Sequence, residues 1–243
     1  MRIIIEKDYE QMSRTVMDLL LAKMYTNKKM NLAITAGSTP KRLYELLVEE
    51  IKNKSGFCNV TYYNFDEIPF KKKGGYGVTV SNLKKDYFDP AGISMEQVHV
   101  LDEKNYTTHD AYLKSIGGLD AIFMGLGKDG HFCGNLPNTT KFGDGTTKVE
   151  TSVFPEMYDI MKSEVGGNEE DIPDFYVTMG PKSVMNAKET IIFVSGKEKA
   201  KIVKEAFFGP VCEQVPSSVF QLHPHFTLVL DADAASEIKD FID

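Results

Sequence analysis

The stretch Gly125-Leu126-Gly127-Lys128-Asp129-Gly130-His131, continuing Phe132-Cys133-Gly134-Asn135-Leu136-Pro137, decides how this 243-residue chain is read. It follows a short apolar run, Leu119 to Met124, that reads as a buried strand. Gly125 and Gly127 let the backbone turn sharply and approach a ligand closely. A carboxylate and an imidazole, Asp129 and His131, come directly after them. Open α/β sheets place chemistry in this way, from a strand tip into a crevice. Residues 125–130 also spell Gly-x-Gly-x-x-Gly. A dinucleotide fingerprint, however, needs a helix to begin within the glycine run, so that its N-terminus meets a pyrophosphate. Gly134 and Pro137 would interrupt such a helix in its first turns, and no strand ending in an acidic residue follows at the usual distance. The stretch predicts a catalytic loop rather than a nicotinamide or flavin site.

Outward from this loop, strand and helix patterns alternate to both ends. Strands are expected at 2–6, 31–36, 58–65, 119–124, 175–179, 190–195 and 226–231. Helices are expected at 9–23, from Pro40 to about Ile51, at 81–88 (stopping at Pro90), 106–115, 197–208 and 233–241. The alternation predicts an α/β fold, a single doubly wound and mostly parallel sheet flanked by helices. No repeat or low-complexity linker divides the chain, so residues 1–243 are read as one domain. The long connection 138–174, with a short helix around Pro155 to Lys162, is a lid candidate, since loops of that length are usually functional.

Composition narrows the function classes. Hydrophobic residues make up 42% and charged residues 26%, ordinary globular values. The net charge of −7 argues against a nucleic-acid partner, which would want a basic face. Lys71-Lys72-Lys73 is the one dense basic cluster and reads as a solvated loop. Cys58, Cys133 and Cys212 show neither metal-ligand spacing nor an even disulfide count, which suits a reducing cytoplasm. No apolar run approaches the ~20 residues that span a bilayer, and no signal-peptide core precedes Ile3-Ile4-Ile5. The expectation is a cytoplasmic protein with no membrane, metal or redox cofactor, its oligomeric state open.

Four constellations carry chemistry. Thr35-Ala36-Gly37-Ser38-Thr39-Pro40 ends a strand and opens a helix. Its free N–H groups, two hydroxyls and the positive helix end make a phosphate cradle, or a plain N-cap by Ser38 or Thr39. Asn64-Phe65-Asp66-Glu67 puts two carboxylates at a strand exit. They point to opposite sides, so one is a candidate general base and the other is solvated or paired with a lysine. Asp129 with His131 can orient an imidazole for acid–base work. In Gly196-Lys197-Glu198-Lys199 a lysine sits in a first helical turn, unfavourably unless an anion is there. Lys199 then reads as a phosphate partner and Lys197 as solvated. Carboxylates plus phosphate recognition suggest proton shuffling on a small phosphorylated substrate.

Together these motifs resemble the glucosamine-6-phosphate deaminase and 6-phosphogluconolactonase superfamily over nearly the whole chain. Gly37-Ser38-Thr39-Pro40 is similar to its phosphate loop, Gly127-Lys128-Asp129-Gly130-His131 to its catalytic loop, and Gly196 to Ala200 to its Gly-x-x-Lys-Ala turn. The resemblance implies phosphate binding by Gly37, Ser38, Thr39 and Lys199, and catalysis by Asp66, Asp129 and His131, on a small phosphorylated sugar. Asn64-Phe65-Asp66-Glu67, Thr178-Met179-Gly180 and Gln221-Leu222-His223-Pro224 are closer to the deaminases, in which the Asp moves a proton between carbons 1 and 2 of the opened sugar. Leu136 stands where deaminases carry a Glu that supports the ring-opening His, and it is lactonase-like, as is Val80-Ser81-Asn82. Residues 138–175 hold no Arg of the kind the deaminase lid uses on phosphate, which leaves Lys162 or Lys182 as substitutes. The implied activity is a hexosamine-6-phosphate isomerase/deaminase, with lactone hydrolysis and a non-catalytic sugar-phosphate sensor as alternatives.

Overall fold

Seven strands form one parallel sheet in the computed structural model, which describes residues 1–241. In chain order the strands are β1 (Arg2–Glu6), β2 (Met30–Ile34), β3 (Val60–Tyr63), β4 (Asp66–Glu67), β5 (Val98–His99), β6 (Ala121–Met124), β7 (Thr147–Glu150), β8 (Phe175–Thr178), β9 (Thr190–Val194) and β10 (Phe226–Asp231). The α-helices are α1 (Tyr9–Met24), α2 (Lys41–Ile51), α3 (Val78–Leu83), α4 (Asp89–Ala91), α5 (Tyr106–Ser115), α6 (Glu156–Glu164), α7 (Pro181–Met185) and α8 (Ala200–Phe208). The large sheet runs β1-β10-β9-β6-β2-β3-β5 with parallel neighbours throughout. From β2 the chain works outward through β3 to β5, then returns to β6 on the other side of β2. Strand order therefore reverses between β2 and β6. The loops leaving their carboxyl ends diverge there and open a crevice.

The period of two along each central strand sorts side chains between two cores. Leu32, Ile34, Phe123, Ile191, Phe193 and Val229 face the core built with α1 and α2, which contribute Met12, Leu20, Leu43 and Leu47. Ala33, Ile122, Met124, Ile192, Leu228 and Leu230 face the opposite core, with Leu113, Val203 and Phe207. Burial on both faces explains why these strands read as unbroken apolar runs. No helix among the described residues is long and apolar enough to cross a membrane.

A smaller antiparallel sheet, β4-β8-β7, departs from the one-sheet expectation. Residues 58–65 do not form a single strand. The chain leaves the large sheet at Tyr63, and Asp66 and Glu67 pair instead with Thr178 and Val177. Buried Asn64 holds this corner: its amide donates to the carbonyls of Asp66 and Leu101, each at 2.9 Å, and accepts the Leu101 N–H at 2.8 Å. The strand expected at 175–179 likewise belongs to the small sheet, as β8. The candidate lid 138–174 contains β7 and α6, and Met157, Met161 and Val165 pack on Val149, Tyr176 and Val78 in a third core.

Two helix expectations also change. The segment expected to stop at Pro90 starts at Val78, widens into a π turn at Lys84–Phe88, and passes Pro90 to end at Gly92, where φ is 73°. Proline lacks an N–H and crowds the preceding turn, and a π turn is one way a helix absorbs that. Residues 233–241 form turns and a 3₁₀ turn at Lys239–Phe241 rather than an α-helix. Asp231 pins their start: its carboxylate accepts the Ala234 N–H at 2.8 Å while also binding Ser195 and Gly196.

Candidate active site

The crevice between β2 and β6 is a cleft of about 680 Å³, covered on one side by the small sheet and α6. All seven residues singled out above line it: Asp66, Asp129, His131, Gly37, Ser38, Thr39 and Lys199.

The 35–40 loop leaves β2 through Gly37, whose φ of 110° only glycine adopts without strain. Pro40 is the residue before α2, and neither Ser38 nor Thr39 caps the helix, so the plain N-cap reading is set aside. The loop is held from behind by tyrosines: Tyr9 donates to the Thr39 carbonyl at 2.8 Å, and Tyr44 donates to the Thr35 carbonyl. Among the described residues, the N–H groups of Gly37, Ser38 and Thr39 meet no protein acceptor. They are available to an anion.

Lys199 lines the same cleft, in the 3₁₀ turn Lys197–Lys199 that leads into α8. Its ammonium donates to the Leu126 carbonyl, which aims it along the β6 loop. Burial, reinforced by the positive charge of Lys128, holds it below the usual lysine range. Lys128 also lines the cleft. Lys162 instead pairs with Glu169 across the lid's outer face, and neither it nor Lys182 lines the cleft, so neither substitutes for a lid Arg. Lys71 and Lys72 pair with Asp174 and Glu170, as a solvated loop would.

At the β6 tip, His131 Nδ1 lies 2.6 Å from Asp129 Oδ1, which also accepts the His131 backbone N–H at 3.1 Å. A carboxylate on Nδ1 selects the tautomer that leaves Nε2 free for a ligand. Burial raises Asp129, but the hydrogen bond and charge of His131 outweigh it and hold the carboxyl below the usual range. Gly127 has a second role that the sequence did not reveal. A Cβ there would lie 2.1 Å from His131 Nδ1, so the imidazole rests on the bare backbone of Gly127. The loop's continuation is anchored on β8: the Gly134 N–H donates to Thr178 Oγ1 at 2.9 Å, the Tyr176 hydroxyl donates to the Gly134 carbonyl at 2.7 Å, and Asn135 donates to the Met179 carbonyl at 2.9 Å.

Asp66 and Glu67 point to opposite sides of β4, as the pattern predicts. Asp66 is half-buried and faces the cleft. Burial pushes its carboxyl up to about 6; a hydrogen bond from Thr79 and the positive charge of His131 pull it down, while the negative charge of Glu164 adds to burial. Glu67 is neither solvated nor paired with lysine. It turns inward and accepts the backbone N–H groups of Ile68, Thr79 and Val80. Thr79, Asn82, Cys133, Tyr176 and Glu164 also line the cleft and were not read from the sequence. They come from α3, the continuation of the β6 loop, β8 and α6, and no strand-tip signal marks them as site residues. His223 and Gln221 lie elsewhere: His223 is buried with Nε2 3.0 Å from the Ala187 carbonyl, and Gln221 donates to the carbonyls of Ala206 and Gly209.

A parallel doubly wound sheet, roofed at its carboxyl edge by a small antiparallel sheet, is the fold of the deaminase–lactonase class. It superposes on a monomeric glucosamine-6-phosphate deaminase with a TM-score of 0.80 at 23% identity, covering 98% of this chain and 100% of that one. It superposes on the 6-phosphogluconolactonase from Trypanosoma cruzi with a TM-score of 0.71 at 19% identity, covering 98% of this chain and 97% of that one. In sequence it is 30% identical over 255 residues to the glucosamine-6-phosphate deaminase of Clostridioides difficile (strain 630), with 99% of each chain covered. It is 29% identical over 254 residues to that of Shouchella clausii (strain KSM-K16), with 97% of each covered. The chain belongs to the family of glucosamine-6-phosphate isomerases and 6-phosphogluconolactonases, whose model matches residues 6–229.

Proposed function

We propose that this protein is an isomerase/deaminase of a hexosamine 6-phosphate, converting it with water to a ketose 6-phosphate and ammonia. The observation that carries this reading is Asp66. It is a carboxylate facing the cleft, separate from the Asp129–His131 pair and set by burial to ionise near pH 6. A base poised there is half-ionised just below neutrality, which suits proton abstraction from carbon. Relatives named glucosamine-6-phosphate deaminase, similar from end to end, support the same reading.

In this account the phosphate lies against the N–H groups of Gly37, Ser38 and Thr39 and the ammonium of Lys199. His131, oriented by Asp129, takes the proton of the carbon-1 hydroxyl on Nε2 and delivers it to the ring oxygen, which breaks the bond from that oxygen to carbon 1 and opens the sugar to its aldehyde. Asp66 then takes the proton from carbon 2 and returns it at carbon 1. This leaves an imine at carbon 2, which water hydrolyses with release of ammonia. Each step uses side chains that line the cleft, and none requires a metal or redox group.

Lactone hydrolysis is the second reading, favoured by one observation: Leu136 packs on the lid core beside the cleft and supplies no carboxylate behind His131. There His131 would activate water, and Asp66 would matter little. Incubation of the pure protein with glucosamine 6-phosphate and, separately, 6-phosphogluconolactone distinguishes the two. Ammonia release with little lactone loss is expected. Lactone turnover without ammonia would overturn the proposal, and phosphosugar binding without turnover of either would favour a sensor.

A further inference from the structure

We infer that Thr79 and Glu67 are positioning residues for Asp66: Glu67 fixes the first turn of α3 against β4, and Thr79, carried on that turn, holds one oxygen of Asp66. The inference rests on Asp66 being the base of the proposed reaction, and it begins from the two-residue length of β4. A strand so short, preceded by a corner at Asn64, cannot by itself fix a side chain that must meet a carbon-bound proton within a fraction of an ångström.

The restraint comes from α3. Glu67, 1% exposed, accepts the N–H groups of Thr79 at 2.7 Å and Val80 at 3.1 Å, which are the second and third residues of the helix, and that of Ile68 at 3.0 Å. Burial pushes the Glu67 carboxyl up to about 8 against the pull of these N–H groups, and its oxygens satisfy helix donors that have no partner within the helix. The Val78 N–H donates to the Ile68 carbonyl at 2.9 Å and draws the turn onto the strand. Gly77 makes this approach possible, since a Cβ there would sit 2.5 Å from both Glu67 Oε1 and the Ile68 carbonyl oxygen.

Once the turn is fixed, Thr79 is nearly fixed as well, because a β-branched side chain has few χ1 choices in a helix. Its hydroxyl donates to Asp66 Oδ1 at 3.0 Å. Asp66 Oδ2 meets no protein donor among the described residues and remains for the substrate. Thr79 thereby chooses which oxygen reacts and favours the ionised form of the carboxyl against the burial that opposes it.

The test compares Thr79→Val, Thr79→Ser and Glu67→Gln with wild type by two readouts. One is the pH profile of kcat/KM for hexosamine 6-phosphate. The other is the titration of the Asp66 carboxyl by carbon-13 NMR, which needs no turnover. Thr79→Val is expected to move the acid limb and the Asp66 midpoint up by about one unit. It should lower kcat about tenfold or more with KM changed by less than about threefold, since the phosphate end is untouched. Thr79→Ser should restore both readouts, and Glu67→Gln should repeat the Thr79→Val shift. A folded Thr79→Val with an unmoved midpoint and unchanged kcat would overturn the inference. So would Thr79→Ser behaving as badly as Thr79→Val, because the methyl group rather than the hydroxyl would then matter. If Glu67→Gln does not fold, the two Thr79 variants decide the matter alone. If wild type turns over no hexosamine phosphate, the proposed function fails, while the NMR titration still reports whether Thr79 sets Asp66.

Discussion

Asp66 is a carboxylate that the fold holds at a cost. Burial raises it from the ordinary carboxylate range to about 6, so the native state binds a proton more tightly than the unfolded chain does. Stability from this group is full at low pH and falls as pH rises from about 4 to about 6. Asp66→Asn should therefore stabilise the protein at pH 7.5, by on the order of 1–2 kcal/mol, read as a higher melting temperature. The same variant should lose at least about 100-fold in kcat while retaining phosphosugar binding. A melting temperature that falls would contradict the burial argument, and surviving proton exchange at carbon 2 would remove Asp66 as the base. Gly127→Ala isolates His131 in the same way. Its Cβ must displace the imidazole, so activity should drop at least about tenfold while the fold and phosphate binding persist. An active Gly127→Ala would mean that the ring's position is not critical. Asp66, Asp129, His131, Gly37, Ser38, Thr39 and Lys199 were legible because each sits where a strand ends in glycine or in an abrupt polar turn. Thr79 and Glu67 were not, because their roles depend on a helix docking against a two-residue strand, which no local pattern encodes.

The candidate lid, residues 138–174, was only partly legible in the sequence. A short helix was expected around Pro155 to Lys162, but β7 has a single apolar residue, Val149, and its pairing with β8 is decided by tertiary contact. The wall of the cleft that carries Met161, Glu164 and Tyr176 consequently looked like loop. Glu164, in the last turn of α6, reaches this wall, and its negative charge adds to the burial that raises Asp66. Glu164→Gln removes that charge, so the acid limb of the pH profile should move to lower pH, opposite in direction to Thr79→Val. A limb that stays in place would show that α6 does not bring Glu164 within electrical reach of Asp66. Packing holds α6 in turn. Met157→Ala should open the lid core at a cost of about 2–4 kcal/mol, seen as faster amide exchange across 147–178 with the large sheet unaffected. Exchange that stays slow there would mean the lid does not depend on its own core.

On the scale of the whole molecule, alternating strand and helix patterns were enough to predict a doubly wound parallel sheet. They could not predict that Asp66, Glu67 and β8 leave it for a second sheet, because a two-residue strand carries no period. One global property follows from burial far from the cleft. His109, 1% exposed and with no partner on either ring nitrogen among the described residues, stacks near His99, which lies flat on Tyr112. Burial lowers His109 to about 4, so it folds neutral, and its contribution to stability is full above about 6.5 and lost as pH falls toward 4. His109→Phe should flatten the melting temperature between pH 6.5 and 4, and an unchanged slope would assign acid sensitivity to other groups. In the proposed reaction, a sheet switch point, an oriented imidazole and a separate poised carboxylate make a carbon-to-carbon proton transfer site. Glucosamine 6-phosphate carrying deuterium at carbon 2 tests it most directly, with the label followed by NMR alongside ammonia. The label is expected to leave carbon 2 in step with ammonia release, and Asp66→Asn is expected to stop both. A label that stays at carbon 2 while the protein opens 6-phosphogluconolactone would contradict it.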